Sequence, residues 1–438
     1  MKKLIGFILI LFFSSSAFAL NLKESIKIAT DKNPSVITAR KVLEAASGQA
    51  FQAMGAFFPN IKIEASTGQI YSKPYQMVFT TNVGGIPATQ SFIAGVDEQI
   101  PVRKLGFSLV QPFFTGGKLT SQLRLAQNNY EITLEELNKT ILSVSFDTTV
   151  AYYGLIRAVK LVQLSEQAYN MAKNHLEKAK TMFSTGISTK SDVLRAEVQN
   201  INAEITLSKA KNSLIIAQNS LNSALGYPFD HRLEVEYADL SNEISLIPPY
   251  ENILEAAYEN RPEWKEFLLT KKTAHDNLEI AKSDLFPSVF AIGTYNSDYT
   301  QYPSYFTDVN SWSALISASW NILDMTLPGK IQKASADLDA QRANENSVKN
   351  SIALETRNAF SELKSTKETI QSTEKALKIA EENYKVANIR YSAGVGINLQ
   401  VIDAEVALTQ ARIDNLDAQV NLQIAKAKLN KLVGKEII

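Results

Sequence analysis

The chain states one pattern twice, and that duplication limits its fold more than any other feature. Phe183-Ser184-Thr185-Gly186-Ile187 reappears as Tyr391-Ser392-Ala393-Gly394-Val395, an offset of 208 residues that also carries Ala151 to Ala359 and Gly226 to Gly434. Further upstream the offset is 228, which takes Pro34 to Pro262 and Phe58-Pro59 to Phe286-Pro287. Two copies of a roughly 200-residue unit follow, the second shorter by 20 residues between Pro287 and Ala359. Internal repeats are read before single elements because each copy must fold alike.

Residues 1–19 stand outside the repeat. Lys2 and Lys3 precede an apolar run, Leu4 to Phe13, and Ala17-Phe18-Ala19 supplies small residues at a cleavage position. The run is shorter than the ~20 residues that span a bilayer, so it reads as a secretory signal peptide with the mature chain starting at Leu20. Expected boundaries are a first repeat over 20–225, a linker over 226–249 and a second repeat over 250–438. The linker carries Pro228, Pro248 and Pro249.

The 45 basic and 45 acidic residues cancel, which argues against a nucleic-acid partner. The absence of cysteine excludes disulfides, thiolate metal sites and a lipidated cysteine. His175, His231 and His275 lie far apart without ligand spacing and read as surface or packing residues. No metal or cofactor is expected. Nor is there a nucleophile–histidine–acid cluster or a glycine-rich phosphate loop, so the chain reads as no enzyme.

Each copy contains a very long helical stretch. Lys118 to Phe183 lacks proline and Ile331 to Tyr391 lacks both proline and glycine, giving helices on the order of 90–100 Å. Apolar residues recur every seven, at Leu134, Ile141, Leu155, Val162, Tyr169, Leu176 and Phe183, and again at Leu363, Ile370, Leu377, Tyr384 and Tyr391. Val193, Leu207, Leu214 and Leu221 continue the period after the first turn, as do Val401, Leu408, Leu422 and Leu429 after the second. Sustained heptads predict coiled-coil packing between long helices. Shorter helices from Pro34 and Pro262 precede them.

Between short and long helices the period changes to two. Ile61, Ile63, Ala65 and Thr67 alternate with Lys62, Glu64, Ser66 and Gly68, and Leu105, Phe107 and Leu109 alternate with Gly106, Ser108 and Val110. Trp312, Ala314, Ile316, Ala318 and Trp320 alternate with Ser313, Leu315, Ser317 and Ser319. These patterns predict strand pairs at about 60–114 and about 288–322. Trp312 and Trp320, with small apolar residues between them, read as the two aromatic ends of a strand in an outer-membrane barrel. Polar and aromatic loops are expected at about Gln69 to Lys104 and Asn296 to Ser311, and the length difference between the copies sits there. The longer loop is expected outside the cell. Four strands cannot close a barrel and open edges are not tolerated in lipid, so strands from several copies must share one.

The chain resembles the TolC family of outer-membrane efflux proteins over essentially its whole mature length. The resemblance rests on Asn33-Pro34, Phe58-Pro59-Asn60, Gln111-Pro112-Phe113-Phe114-Thr115-Gly116-Gly117-Lys118, and the two turn motifs at Phe183 and Arg390. It implies a mostly α chain with a transmembrane β-barrel: a homotrimer with twelve strands, four per chain, and long coiled-coil helices forming a periplasmic tunnel. It implies docking onto a periplasmic adaptor and an inner-membrane pump of RND or ABC type, and passive export of small toxic molecules or of proteins by type I secretion. A trimeric coiled-coil adhesive or structural protein is the competing expectation, although strand pairs at two internal positions argue against it.

The same resemblance places a gate at the turns Ser184–Ser191 and Ser392–Asn398. Asp192 and Tyr391 match residues that latch the closed tip by hydrogen bonding. Asp403 matches one of two aspartates that ring the constriction, with a solvated helix carboxylate as the alternative. The chain departs from the family at Gln400, where the second aspartate is expected, and at Gly396, where an arginine is. Arg390 matches the basic residue of the tip motif, whereas the first copy has Met182. Ser184, Gly186, Arg390, Ser392 and Gly394 are the expected adaptor contacts, with the glycines also serving tight turns.

Overall fold

The computed structural model describes residues 20–95, 97–231, 247–302 and 306–437. The expected signal peptide and the middle of the expected linker lie outside these residues. The chain separates into two units, one formed by Met1–Leu43, Thr133–Phe267 and Glu345–Ile438, the other by Glu44–Ile132 and Leu268–Asn344.

Each copy runs helix, helix, strands, long helix, helix. The first copy has α1 (Leu22–Lys32), α2 (Pro34–Gly55), β1 (Asn60–Ser72), β2 (Tyr75–Val83), β3 (Ile86–Ala94), β4 (Glu98–Phe114), α3 (Lys118–Ser184) and α4 (Lys190–Leu225). The second has α5 (Tyr250–Asn260), α6 (Pro262–Ser283), β5 (Ser288–Gln301), β6 (Phe306–Ser319), α7 (Leu327–Ser392) and α8 (Asn398–Val433). The short helices α1 and α5 were not anticipated. Asn21 starts α1 with a capping box completed by Glu24, and the following proline of each copy separates it from the next helix.

In the helical unit the heptad positions Leu155, Leu221, Leu363 and Leu429 enter the core, whereas Phe183 is exposed. Tyr152, Ile156, Leu221 and Leu225 pack with Ala29 and Val36. Ile253, Ala257, Leu363, Leu429 and Val433 form the matching cluster of the second copy. Gly226 ends α4 with φ 75° against the Lys32 carbonyl, where a Cβ would come within 2.7 Å. Gly434 ends α8 with φ 81° against Asn260, where it would come within 2.8 Å. Each copy thus closes its last helix onto the break between its first two, and only glycine allows both the left-handed φ and the approach.

The other unit holds an antiparallel sheet of order β1-β4-β5-β6 and a separate β2-β3 hairpin. The register gathers one face from all four strands: Ile63 pairs with Phe107 and Ile61 with Leu109. Phe107 pairs with Tyr295 and Leu109 with Gly293, and Tyr295 pairs with Trp312 and Ala291 with Ile316. The opposite face is mixed: the Lys62 ammonium pairs with Glu64 and the Thr294 and Ser313 hydroxyls lie 2.7 Å apart, while Val110, Ile292 and Leu315 form an apolar row across it. The apolar face is bare, with Ile63 69 % and Trp312 78 % exposed. No helix among the described residues is long and apolar enough to cross a membrane.

Three expectations change. The span from Asn296 to Ser311 is not a loop, because β5 and β6 stay paired from Asn296–Ser311 out to Gln301–Phe306. The span from Gln69 to Lys104 is not a loop: β1 and β4 continue their ladder to Ser72 and Glu98, and the residues between include a hairpin turned at Gly84-Gly85. Its Thr, Gln and Asn content resembles loop composition, yet two glycines with positive φ are what a tight hairpin needs. Trp312 does not end its strand but lies midway along β6, paired with Tyr295, and Trp320 lies one residue past β6, where its indole Nε1 donates to the Leu285 carbonyl over 3.1 Å. It ties the strand end to the α6–β5 connection.

Candidate functional site at the helical turns

Both long helices end alike. Gly186 (φ 77°) and Gly394 (φ 74°) adopt the left-handed conformation. The Ile187 N–H returns to the Met182 carbonyl over 2.9 Å and the Val395 N–H to Arg390 over 3.1 Å, the six-to-one bond of a Schellman end. Ser184 and Ser392 turn inward on their own helices, donating to Thr181 and Asn388 carbonyls at 2.8 and 2.7 Å. A Cβ on Gly396 would meet the Tyr391 nitrogen at 2.8 Å, so the turn itself leaves no room for a longer side chain there.

The following helices begin differently. Thr189 caps α4 in a capping box with Asp192. Asp192 Oδ2 accepts from Thr189 Oγ1 at 2.7 Å, Thr189 N at 3.1 Å and Ser188 Oγ at 3.1 Å. The Thr189 hydroxyl first, then its N–H and the Ser188 hydroxyl, holds this carboxyl below the usual range despite partial burial. The equivalents in the second copy are Ile397 and Gln400, and α8 starts with no side-chain cap.

Asn398 holds the two turns together instead. Its Nδ2 donates to the Asp192 carbonyl over 3.0 Å, which leaves Oδ1 to accept from His175 Nε2 at 2.6 Å. His175 and Asn398 are both buried. The Nδ1 atom of His175 has no partner among the described residues, so the Asn398 bond fits a neutral imidazole with its proton on Nε2. Burial pushes its pKa down, with Lys178 adding to the effect, against the Asn398 bond.

Tyr391 packs its ring on His175 with centroids 5.1 Å apart. Its hydroxyl is buried and completes no hydrogen bond among the described residues. No direct Tyr391–Asp192 hydrogen bond is present among the described residues. Asp192 commits Oδ2 to the α4 cap, while burial pushes the phenol up, against the nearby Ser188 hydroxyl and with the Asp192 charge adding to the rise. Lys178 provides a further link across the turns, donating to Asn388 Oδ1 at 3.2 Å and Ser392 Oγ at 3.4 Å.

Asp403 and Gln400 are exposed one helical turn apart on α8. Glu405, close by in sequence, is buried with Oε2 unpartnered, and burial raises its pKa to about 7 against a Gln199 hydrogen bond. Arg390 is exposed. Asn398 and Glu405 are not singled out in the sequence, and His175 reads there only as a surface or packing residue. His175 sits next to a heptad leucine, Glu405 matches the exposed Glu197 of the first copy, and nothing local marks either as a contact. No group of side chains among the described residues could hold a metal ion.

A family model described as outer membrane efflux protein matches residues 25–227 and 253–435. The outer membrane protein TolC of Escherichia coli K12 is 28 % identical over 223 residues, 51 % of this chain and 44 % of that protein. TolC of Salmonella enteritidis is 25 % identical over 201 residues, 46 % of this chain and 39 % of its own. The chain thus spans less than half the length of each of these two relatives. The solved structure of VceC from Vibrio cholerae superposes with a TM-score of 0.77 at 19 % identity, covering 94 % of this chain and 96 % of that one. That of CusC gives 0.80 at 17 % identity, covering 94 % and 92 %. At such identities the two structures share the fold.

Proposed function

Since the chain belongs to the outer membrane efflux protein family, we propose that three copies form one passive export channel. Each would contribute the sheet β1-β4-β5-β6 to a twelve-stranded barrel in the outer membrane, with the helical unit in the periplasm. The observation that carries this is the apolar face running in register across all four strands, from Ile63 through Phe107 and Tyr295 to Trp312. Such a face, bare in the single chain and backed by a face that carries Lys62, Glu64, Thr294 and Ser313, is what a lipid-facing wall with a wet interior requires. The unpaired edges of β1 and β6 call for closure against other copies.

The long helices support the same reading. Beyond their buried heptads they leave a second row of apolar residues exposed, including Ile201, Ile205, Ile379, Val386 and Ile389. A row of this kind needs a neighbouring helix. The turns at Gly186 and Gly394 would be the periplasmic end, with Asp403 and Gln400 at its constriction and Arg390 and Ser392 toward an adaptor. An inner-membrane pump, of RND or ABC type, would deliver the cargo, either small toxic molecules or secreted proteins. The two repeats, 20–225 and 250–438, joined by 226–249, would then be two pseudo-equivalent staves of the tube.

Native mass spectrometry in detergent tests the assembly: three chains are expected, and a stable membrane-inserted monomer contradicts it. Dye accumulation tests the activity. Cells lacking the chain should retain a fluorescent efflux substrate that cells with it expel, and equal retention would contradict export.

A further inference from the structure

The β2–β3 hairpin is present in one copy only. The second copy passes directly from Gln301 to Phe306, whereas the first inserts Tyr75–Ala94. This segment contains no Asp, Glu, Lys, Arg or His, although Lys73, Asp97 and Glu98 stand at its base. Its register places Tyr75, Met77, Phe79 and Phe92 on one face, and the Phe79 and Phe92 rings stack at 5.3 Å. Both rings remain about half exposed, and Ile86 beside the turn is 72 % exposed. β2 and β3 pair with each other and with no other strand among the described residues.

A lone two-stranded hairpin is marginal in water. An apolar hairpin with two open edges and no charge is also unprotected against association. Something must cover it, and its composition selects the cover. Phosphate-bearing lipid headgroups would be met by lysine or arginine, and the hairpin has neither. An uncharged aromatic face is complementary to another like itself. The chain supplies such partners if three copies share one barrel, the reading on which this inference rests. Nine residues per strand reach about 30 Å. A tilted twelve-stranded barrel has a radius of only roughly 12 Å from its strand spacing. Three hairpins rooted on its rim therefore reach its axis.

We propose that the β2–β3 hairpins of three copies meet over the external mouth of the channel, aromatic faces together, and form a lid. It is a gate separate from the helical turns, held by apolar contact and so insensitive to salt. Outward flow of cargo would part it, and the uncharged ring would slow entry of ions and polar solutes from outside.

The absence of cysteine makes the test direct. Thr81→Cys and, separately, Gln90→Cys are produced in the full chain and oxidised on intact cells. Disulfide-linked dimers are expected on non-reducing gels for at least one of them. In parallel, a chain with Tyr75–Ala94 replaced by a short Gly-Ser turn is recorded in planar bilayers. Its conductance should rise by roughly twofold or more, with native mass still showing three chains. A three-chain channel whose conductance ignores the deletion, and whose cysteines react freely with a water-soluble maleimide without cross-linking, overturns the lid alone. A native mass other than three chains removes the shared barrel and the lid with it.

Discussion

Asn398 accepts a 2.6 Å hydrogen bond from His175 and donates a 3.0 Å bond to the backbone of Asp192. One amide, at the first position of α8, thus joins the second turn to the first turn and to the long helix α3. Because α8 has no side-chain cap of its own, this amide is its main anchor at the tip. Asn398→Leu should loosen the α8 start relative to α4. Hydrogen exchange should rise in the first turns of α8 and remain unchanged at α4, where the Thr189–Asp192 box persists; equal protection in both variants would deny Asn398 this role.

The His175 imidazole makes the contact sensitive to acid. Its folded-state pKa is lowered, so the fold prefers the neutral ring. Stability is fully present above the ordinary value of about 6.5 and is lost as pH falls through it toward the lower folded value. Protonation would also put a second N–H on a buried nitrogen that has no acceptor. Thermal unfolding of the wild type between pH 8 and pH 5 should show this loss. His175→Gln, which keeps a donor toward Asn398 without titrating, should flatten it.

Glu405 has the opposite sign. Its folded pKa of about 7 lies above the ordinary carboxylate value of about 4.3, so stability is greatest below that value and declines as pH rises toward 7. The cost levels off above pH 7 at roughly 4 kcal/mol as an upper bound. Glu405→Gln should therefore raise the melting temperature at pH 8 and change it little at pH 4. A variant that is neutral at pH 8 would mean that the carboxylate finds a charge partner in the assembly.

The asymmetry of the caps can be removed. Ile397→Thr ahead of Gln400 recreates the threonine-x-x-glutamine box that α8 lacks. It should stabilise the tip by about 1 kcal/mol and, if the second turn moves when the channel opens, lower the open probability. Thr189→Ala should cost a similar amount at α4, measured by chemical denaturation.

Asp403 carries the charge proposal. Three copies would place three carboxylates, not six, around the constriction, because Gln400 replaces the second. Asp403→Asn should reduce cation preference and divalent-ion block in reversal-potential measurements. Unchanged selectivity across salt concentrations would make Asp403 a solvated helix carboxylate. Tyr391→Phe separates two roles: an unpaired hydroxyl within one chain predicts no loss of stability, whereas a bond to a neighbouring copy predicts a higher conductance.

What the sequence discloses here is whatever is local and periodic. The heptads of α3 and α7, the left-handed glycines at the turns and the alternation of Ile61, Ile63 and Ala65 all state their structure within a few residues. The β2–β3 hairpin escaped because Thr, Gln and Asn carry weak strand signals and its apolar residues lack a core to face. Trp320 was read from spacing alone, and the bond to Leu285 that takes it past the strand is a tertiary contact. His175 and Asn398 lie 223 residues apart. Nothing within either neighbourhood announces the other. Only the packing of α3 against the start of α8 brings them together.

Single-channel recording in a planar bilayer tests the central claim most directly. The purified chain at low concentration should insert as discrete, uniform conductance steps, and Asp403→Asn should shift their ion selectivity. Intact trimers that enter the bilayer and pass no current, at any voltage and with Tyr391→Phe included, would contradict the account.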